Sequence, residues 1–213
     1  MTNIHSNVAE QFEDLPQQHD AGSIGMWIFL STEVMFFGGI FVAYTIFRIL
    51  YPAAFAEGSR LLDLPRGTIN TAILLTSSFT MASAVHAAGK GRRKNLVVLL
   101  LLTMALGIAF LTIKSSEYIQ VYEDHHFPGS GFLYAGPHVS EVRLFLWLYF
   151  LLTALHALHM IIGIIILGVL VYKSSKGKYS VEYYSPIEFS GLYWHFIDVV
   201  WIFLFPLLYL IHQ

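Results

Sequence analysis

The sequence predicts an all-α, polytopic membrane protein, a bundle of five transmembrane helices with a cytoplasmic N-terminus and a periplasmic C-terminus. Three observations predict it. Of the 213 residues, 56% are hydrophobic and only 12% charged, whereas about a quarter of a soluble domain is charged. Five apolar runs are each long enough to cross a hydrocarbon core of about 30 Å at about 1.5 Å per residue. The loops between them alternate in their content of Lys and Arg, which orients the chain. A polar tail is expected over 1–22 and one membrane domain over 23–213, with spans near 24–50, 66–89, 95–119, 141–172 and 184–212.

The first run, Met26 to Phe47, carries a single charge, Glu33. The second, Thr68 to Ala88, is rich in Ser, Thr and Ala; small residues let helices approach closely, so it reads as a packed, mostly internal helix. The third, Leu96 to Ile113, continues into Lys114, Glu117 and Tyr118, which predicts a helix protruding past the membrane surface. The fourth, Leu144 to Tyr172, has no charge and exceeds a perpendicular span, so tilt or protrusion is expected. The fifth, Phe189 to His212, holds Asp198 and, near its end, Pro206, where a lost backbone bond favours a kink.

Lys90, Arg92, Arg93 and Lys94 follow the second run, and Lys173, Lys176 and Lys178 follow the fourth. These loops face the cytoplasm on the positive-inside rule. In the opposite loops Arg60, Arg66 and Arg143 are offset by Glu57, Asp63, Glu123, Asp124 and Glu141. The N-terminal 22 residues hold acids but no Lys or Arg, unlike a secretory leader. A net charge of -2 and the absence of cysteine leave no basis for a nucleic-acid partner, a disulfide framework or a thiolate site. GKGRRK lacks the spacing and terminal hydroxyl of a phosphate loop.

Ionisable residues inside spans are costly and mark function or interhelical contacts. Glu33 has Phe29, Phe36 and Phe37 within a turn, so it is either a proton-exchanging or lipid-facing carboxyl or a protonated acid bonded to a neighbouring helix. His156 and His159 share a helix face at a spacing of three. Two imidazoles are too few for a metal site, and hydrogen bonds across helices account for them. His195 and Asp198 share a face as well, and a hydrogen bond between them would offset their burial as a relay, a support for a metal ligand or an interhelical clamp. His86 is a cluster partner or simply interfacial. His125, His126 and His138 lie in a Gly- and Pro-rich loop with no further converging ligand, so no metal site is expected.

These residues carry a resemblance. WIFLSTEVMFF in the first span, Asn70 and Thr71 in the second, SEYIQ from Ser116 to Gln120, HALHMIIG from His156 to Gly163, and YWHFIDVVWIFLF from Tyr193 to Phe205 are similar to motifs of subunit III of the haem-copper oxidases. The similarity runs from Gly25 onward. It implies a non-catalytic accessory subunit of a bacterial oxidase, of the cytochrome c type from the form of the Glu33 motif, in the inner membrane of a respiratory chain. Subunits I and II would be its partners, with haem and copper held there and none by this chain. In the family this subunit supports sustained turnover and proton uptake, and in many members a cleft holds phospholipid. The resemblance places the family's helix-one carboxylate at Glu33 and its buried polar residues at His156, His159, His195, Asp198 and Glu117. Longer members have two more N-terminal helices that wall the cleft, where this chain has its acidic tail. Five-helix forms also serve quinol oxidases and a protein associated with nitric oxide reductase. From the residues alone, a haem-binding electron carrier using His86, His156, His159 and His195, or a proton-coupled transporter using Glu33 and Asp198, are the rival readings.

Overall fold

A computed structural model describes residues 8–129 and 131–211. The first seven residues of the expected tail, and His212 at the expected end of the last span, lie outside the described residues. Among those described, the chain forms six α-helices and no strand: α1 (Leu15–Leu50), α2 (Pro52–Arg60), α3 (Leu64–Gly89), α4 (Arg93–Glu123), α5 (Val139–Ser175) and α6 (Ser185–Tyr209). All but α2 are long and apolar enough to cross a membrane.

The helix ends follow from local chemistry. Helix α1 starts at Leu15, inside the expected polar tail, because Asp14 caps it: its side chain accepts from Gln17 N at 2.8 Å, and Pro16 fits the first turn. The same Asp-Leu-Pro run recurs before α3, where Asp63 accepts from Arg66 N at 3.0 Å. Helix α2 was not expected from the sequence, where this stretch reads as loop. It forms behind Pro52 and buries Ala54, Phe55, Gly58 and Ser59, with Gly58 lying directly against the Phe145 ring, where a Cβ would collide. Helix α6 continues through Pro206 to Tyr209, short of the expected end at 212.

Helices α3, α4, α5 and α6 close into a ring in which α3 packs on α4 and α6, and α5 packs on the same two. Helix α1 stands outside against α6, and α2 crosses the end of α5. The second span is therefore packed but not mostly internal, since Leu75 and Phe79 face outward at 51% and 73% exposure. At the centre of the ring, Trp194 fits between Gly107 of α4 and Gly163 of α5. A Cβ at those positions would lie 2.8 and 3.0 Å from the indole, so the absence of side chains there admits the ring. Its Nε1 donates to Ser77 Oγ at 2.9 Å, and Trp201 Nε1 donates to Thr71 Oγ1 at 3.1 Å. The Thr80 and Thr103 hydroxyls meet at 2.8 Å. The small polar residues of α3 thus take up the indole N–H groups of α6, which a bilayer interior leaves no water to satisfy.

Candidate functional site

Two residues read separately in the sequence meet across α1 and α5. His159 Nε2 lies 3.2 Å from Glu33 Oε2. The other ring nitrogen, Nδ1, lies 2.8 Å from the Leu155 carbonyl, which can only accept, so Nδ1 carries a hydrogen. Nε2 then has two settings. Bare, it accepts from a protonated Glu33; protonated, it donates to a carboxylate. In either setting the pair holds one proton between its two facing atoms and is neutral overall, the state a low-dielectric interior favours.

This pair borders a groove of about 370 Å³ between α1, α5 and α6, lined otherwise by Met26, Phe29, Ile162, Ile166, Phe189, Ser190 and Tyr193. The side chains of His159 and Glu33 remain 12% and 20% exposed, so the pair is reachable from the groove. The Tyr193 hydroxyl donates to the His159 carbonyl at 3.1 Å, and Phe37 meets the imidazole edge-on at 5.3 Å. The walls are mostly apolar, and the hydroxyls of Ser190 and Tyr193 are taken up by the Pro186 and His159 carbonyls.

His156, although on nearly the same face of α5, turns to other partners. Its Nε2 donates to the Ile197 carbonyl at 3.2 Å, and its ring packs on Phe110 and Trp201 at 5.4 and 5.1 Å. Nδ1 has no partner among the described residues. The two histidines of the motif therefore do not converge on a common ligand.

The expected bond between His195 and Asp198 is absent. His195 Nδ1 instead meets Ser78 Oγ of α3 at 2.8 Å, and the same hydroxyl is the polar neighbour of the buried Asp198 carboxyl, which is 3% exposed. Residues three apart on a helix rise about 4.5 Å, and the ring of His195 reaches across the seam to α3 rather than along α6.

Glu117 is buried, and so is Lys114 one turn before it; both had suggested a helix emerging from the membrane. Lys114 Nζ donates to Glu117 Oε2 at 3.0 Å, to Tyr149 OH at 2.9 Å and to Tyr209 OH at 2.6 Å. Both hydroxyls donate in turn to Glu117 Oε1, at 3.0 and 2.6 Å. Each ammonium hydrogen and both carboxylate oxygens are used, so the charges are compensated without water. Next to this network Tyr118 OH and Thr153 Oγ1 lie 2.5 Å apart. The helix does run on to Glu123, but Lys114 and Glu117 bind α4 to α5 and α6 rather than meeting solvent.

His86, His125 and His138 are exposed; the last two bracket the loop in left-handed backbone, at φ 56° and 59°. Among the described residues no three His, Asp or Glu side chains come together in a geometry that could hold a metal ion.

A family model described as cytochrome c oxidase subunit III matches residues 16–212. The chain belongs to the cytochrome c oxidase subunit III family. It is 32% identical over 189 residues to cytochrome c oxidase subunit 3 of Thermostichus vulcanus, covering 88% of this chain and 86% of that one. It is 31% identical to cytochrome bo(3) ubiquinol oxidase subunit 3 of Pseudomonas aeruginosa, covering 97% and 96%. With cytochrome c oxidase subunit 3 of Sus scrofa it shares 30% identity over 87% of this chain and 67% of that one. The matched stretch contains every spanning helix, the Glu33 to His159 pair and the Lys114 network. Subunit III is thus the frame for these polar clusters.

The partners of Lys114 are what sequence reading missed. A Lys and a Glu three apart, flanked on both sides by apolar residues, is the signal that could have found the pair; nothing in the spacing of Tyr149 and Tyr209 announces their convergence. The pairing of Glu33 with His159 was hidden for the same reason, since it joins helices 126 residues apart.

Proposed function

We propose that this chain is the non-catalytic accessory subunit III of a bacterial cytochrome c oxidase, set in the cytoplasmic membrane with its N-terminus inside. It packs beside subunits I and II, which hold the haems and copper, and supports oxygen reduction, proton uptake and the durability of the complex in aerobic electron transport. The chain contributes no bond-making centre. Its part is protonic and structural, and phospholipid is the natural occupant of the apolar groove.

The observation that carries this reading is the 3.2 Å contact of His159 Nε2 with Glu33 Oε2 at the border of the groove between α1, α5 and α6. A proton can move between the acid and the imidazole without changing the net charge of the pair. Orientation rests on the basic residues: Lys90, Arg92, Arg93 and Lys94 gather at the same end of the bundle as Lys173, Lys176 and Lys178. There Arg93 Nε donates to the Ser174 carbonyl at 2.9 Å, tying the α4 start to the α5 end.

The test is to purify the chain in mild detergent, identify the subunits that come with it, and compare Glu33→Gln with the wild type. The variant should assemble fully and lose either sustained turnover or proton uptake. Loss of the complex on a native gel would make Glu33 a structural residue instead.

One observation favours a quinol donor as a second reading. The relatives from quinol oxidases match over almost their full length, 96% and 95%, against 86% and 76% for two of the cytochrome c type. Oxygen consumption by the purified complex with reduced cytochrome c or with a quinol decides between them.

A further inference from the structure

We propose that the outward face of α3 and α6 around His195 is the surface on which this chain receives a transmembrane helix of another oxidase subunit, one that presents a hydrogen-bonding side chain to His195 Nε2. The inference rests on the accessory-subunit reading and adds to it the face that docks.

A membrane protein buries its outer surface in lipid or in other protein, and lipid tails satisfy no polar group. The outward faces of α4 and α5 suit lipid, with Val98, Leu101 and Ile108 on one and Leu151, Leu158 and Ile165 on the other. Where hydroxyls occur on such faces they are closed onto their own helix, as Thr112 is onto Ile108 at 2.8 Å. Ser31 and Thr45 do the same on α1. Glu33 and His159 satisfy one another.

The α3–α6 face differs. His195 is half-buried, its Nδ1 is engaged by Ser78 at 2.8 Å, and its Nε2 has no partner among the described residues. It lies ten residues past Ser185, roughly 15 Å along α6, within a helix long and apolar enough to cross a membrane. One turn on, Asp198 is buried, with the Ser78 hydroxyl as the polar side chain nearest its carboxyl, so that hydroxyl is occupied in the seam and leaves nothing on α3 for Nε2. An imidazole nitrogen facing outward without a partner, as donor or acceptor according to its tautomer, is complementary to a hydroxyl or amide side chain, which can serve either role. The surroundings fit a helix. Ala82 is exposed beside Ser78 and permits close backbone approach, and Leu75, Val199 and Ile202 surround it at 51%, 47% and 46% exposure.

The experiment places a photoreactive amino acid at Ala82, and separately at Ile108 on the α4 face, in the full chain within its native membrane. Ala82 should crosslink to another oxidase subunit and Ile108 should not. His195→Leu should lower the recovery of partner subunits about fivefold, the effect of one interhelical hydrogen bond, and His195→Gln, which keeps a polar atom near Nε2, should restore it. Partner subunits that copurify with the wild type but crosslink from Ile108 and not Ala82 overturn this face while leaving the accessory-subunit reading intact. Crosslinks from Ala82 to lipid alone, or to a second copy of this chain, overturn it too, as does unchanged recovery with His195→Leu. Absence of any oxidase subunit from the wild-type preparation removes both.

Discussion

Lys114 and Glu117, one turn apart on α4, form an ion pair of 3.0 Å at 2% and 1% exposure, and two tyrosines from other helices complete its hydrogen bonds. Removing one partner strands the other charge, which costs about 3–5 kcal/mol in buried pairs. Lys114→Met and Glu117→Leu should each lower the melting temperature strongly in detergent. The double variant should cost less than the sum of the two, because no lone charge remains. Additive single effects would show that the pair is not coupled.

The seat of Trp194 gives a second expectation. Gly107→Ala and Gly163→Ala place a Cβ at 2.8 and 3.0 Å from the indole, and overpacking of this kind costs about 1–3 kcal/mol. Gly25→Ala, where no other atom lies within 4 Å of the added carbon, is the control and should be neutral or slightly stabilising. Thermal unfolding followed by tryptophan fluorescence reads all three.

For the groove, the hydrogen-bond geometry distinguishes isosteres. At Glu33, Gln can still donate to a bare His159 Nε2, whereas Leu cannot, so Glu33→Leu should be the less stable by about 1 kcal/mol. Both should lose the infrared band of the Glu33 carboxyl group, whichever of the two settings it holds. An unchanged carboxyl band in either variant would assign that signal elsewhere.

The two Asp caps should differ in consequence. Asp63→Ala should cost about 1 kcal/mol, because Leu62 and Gly67 around it are buried. Asp14→Ala opens a turn whose neighbours Glu13 and Gln17 are exposed, so amide exchange should rise near residue 17 with little change in global melting.

Sequence periodicity and apolar length made the five spans legible, because a bilayer demands them independently of partners. The Asp-Leu-Pro runs at 14–16 and 63–65 carry a helix-start signature that the sequence reading used at neither place, since the first lies in what reads as a polar tail and the second ahead of a span expected from 66. Helix α2 was illegible: a nine-residue helix is stable only through packing, here of Gly58 and Phe55 onto Phe145. At the site, burial costs identified Glu33, His159, His195 and Asp198 as residues that need partners, but not which partners. Interhelical pairings such as His159 with Glu33 or His195 with Ser78 depend on helix rotation, which a single chain's spacing does not encode.

Helix α1 meets the bundle along a narrow seam, with Leu30, Phe37 and Tyr44 as its buried residues, and its polar partner lies on α5, 126 residues later. Synthesis runs from the N-terminus. Glu33 therefore enters the bilayer before His159 has been made, and the α6 side chains that hold α1 in place emerge last of all. The carboxyl has no imidazole to meet until α5 is made, and the arrival of α5 and α6 is the step that both fixes α1 and joins its acid to His159.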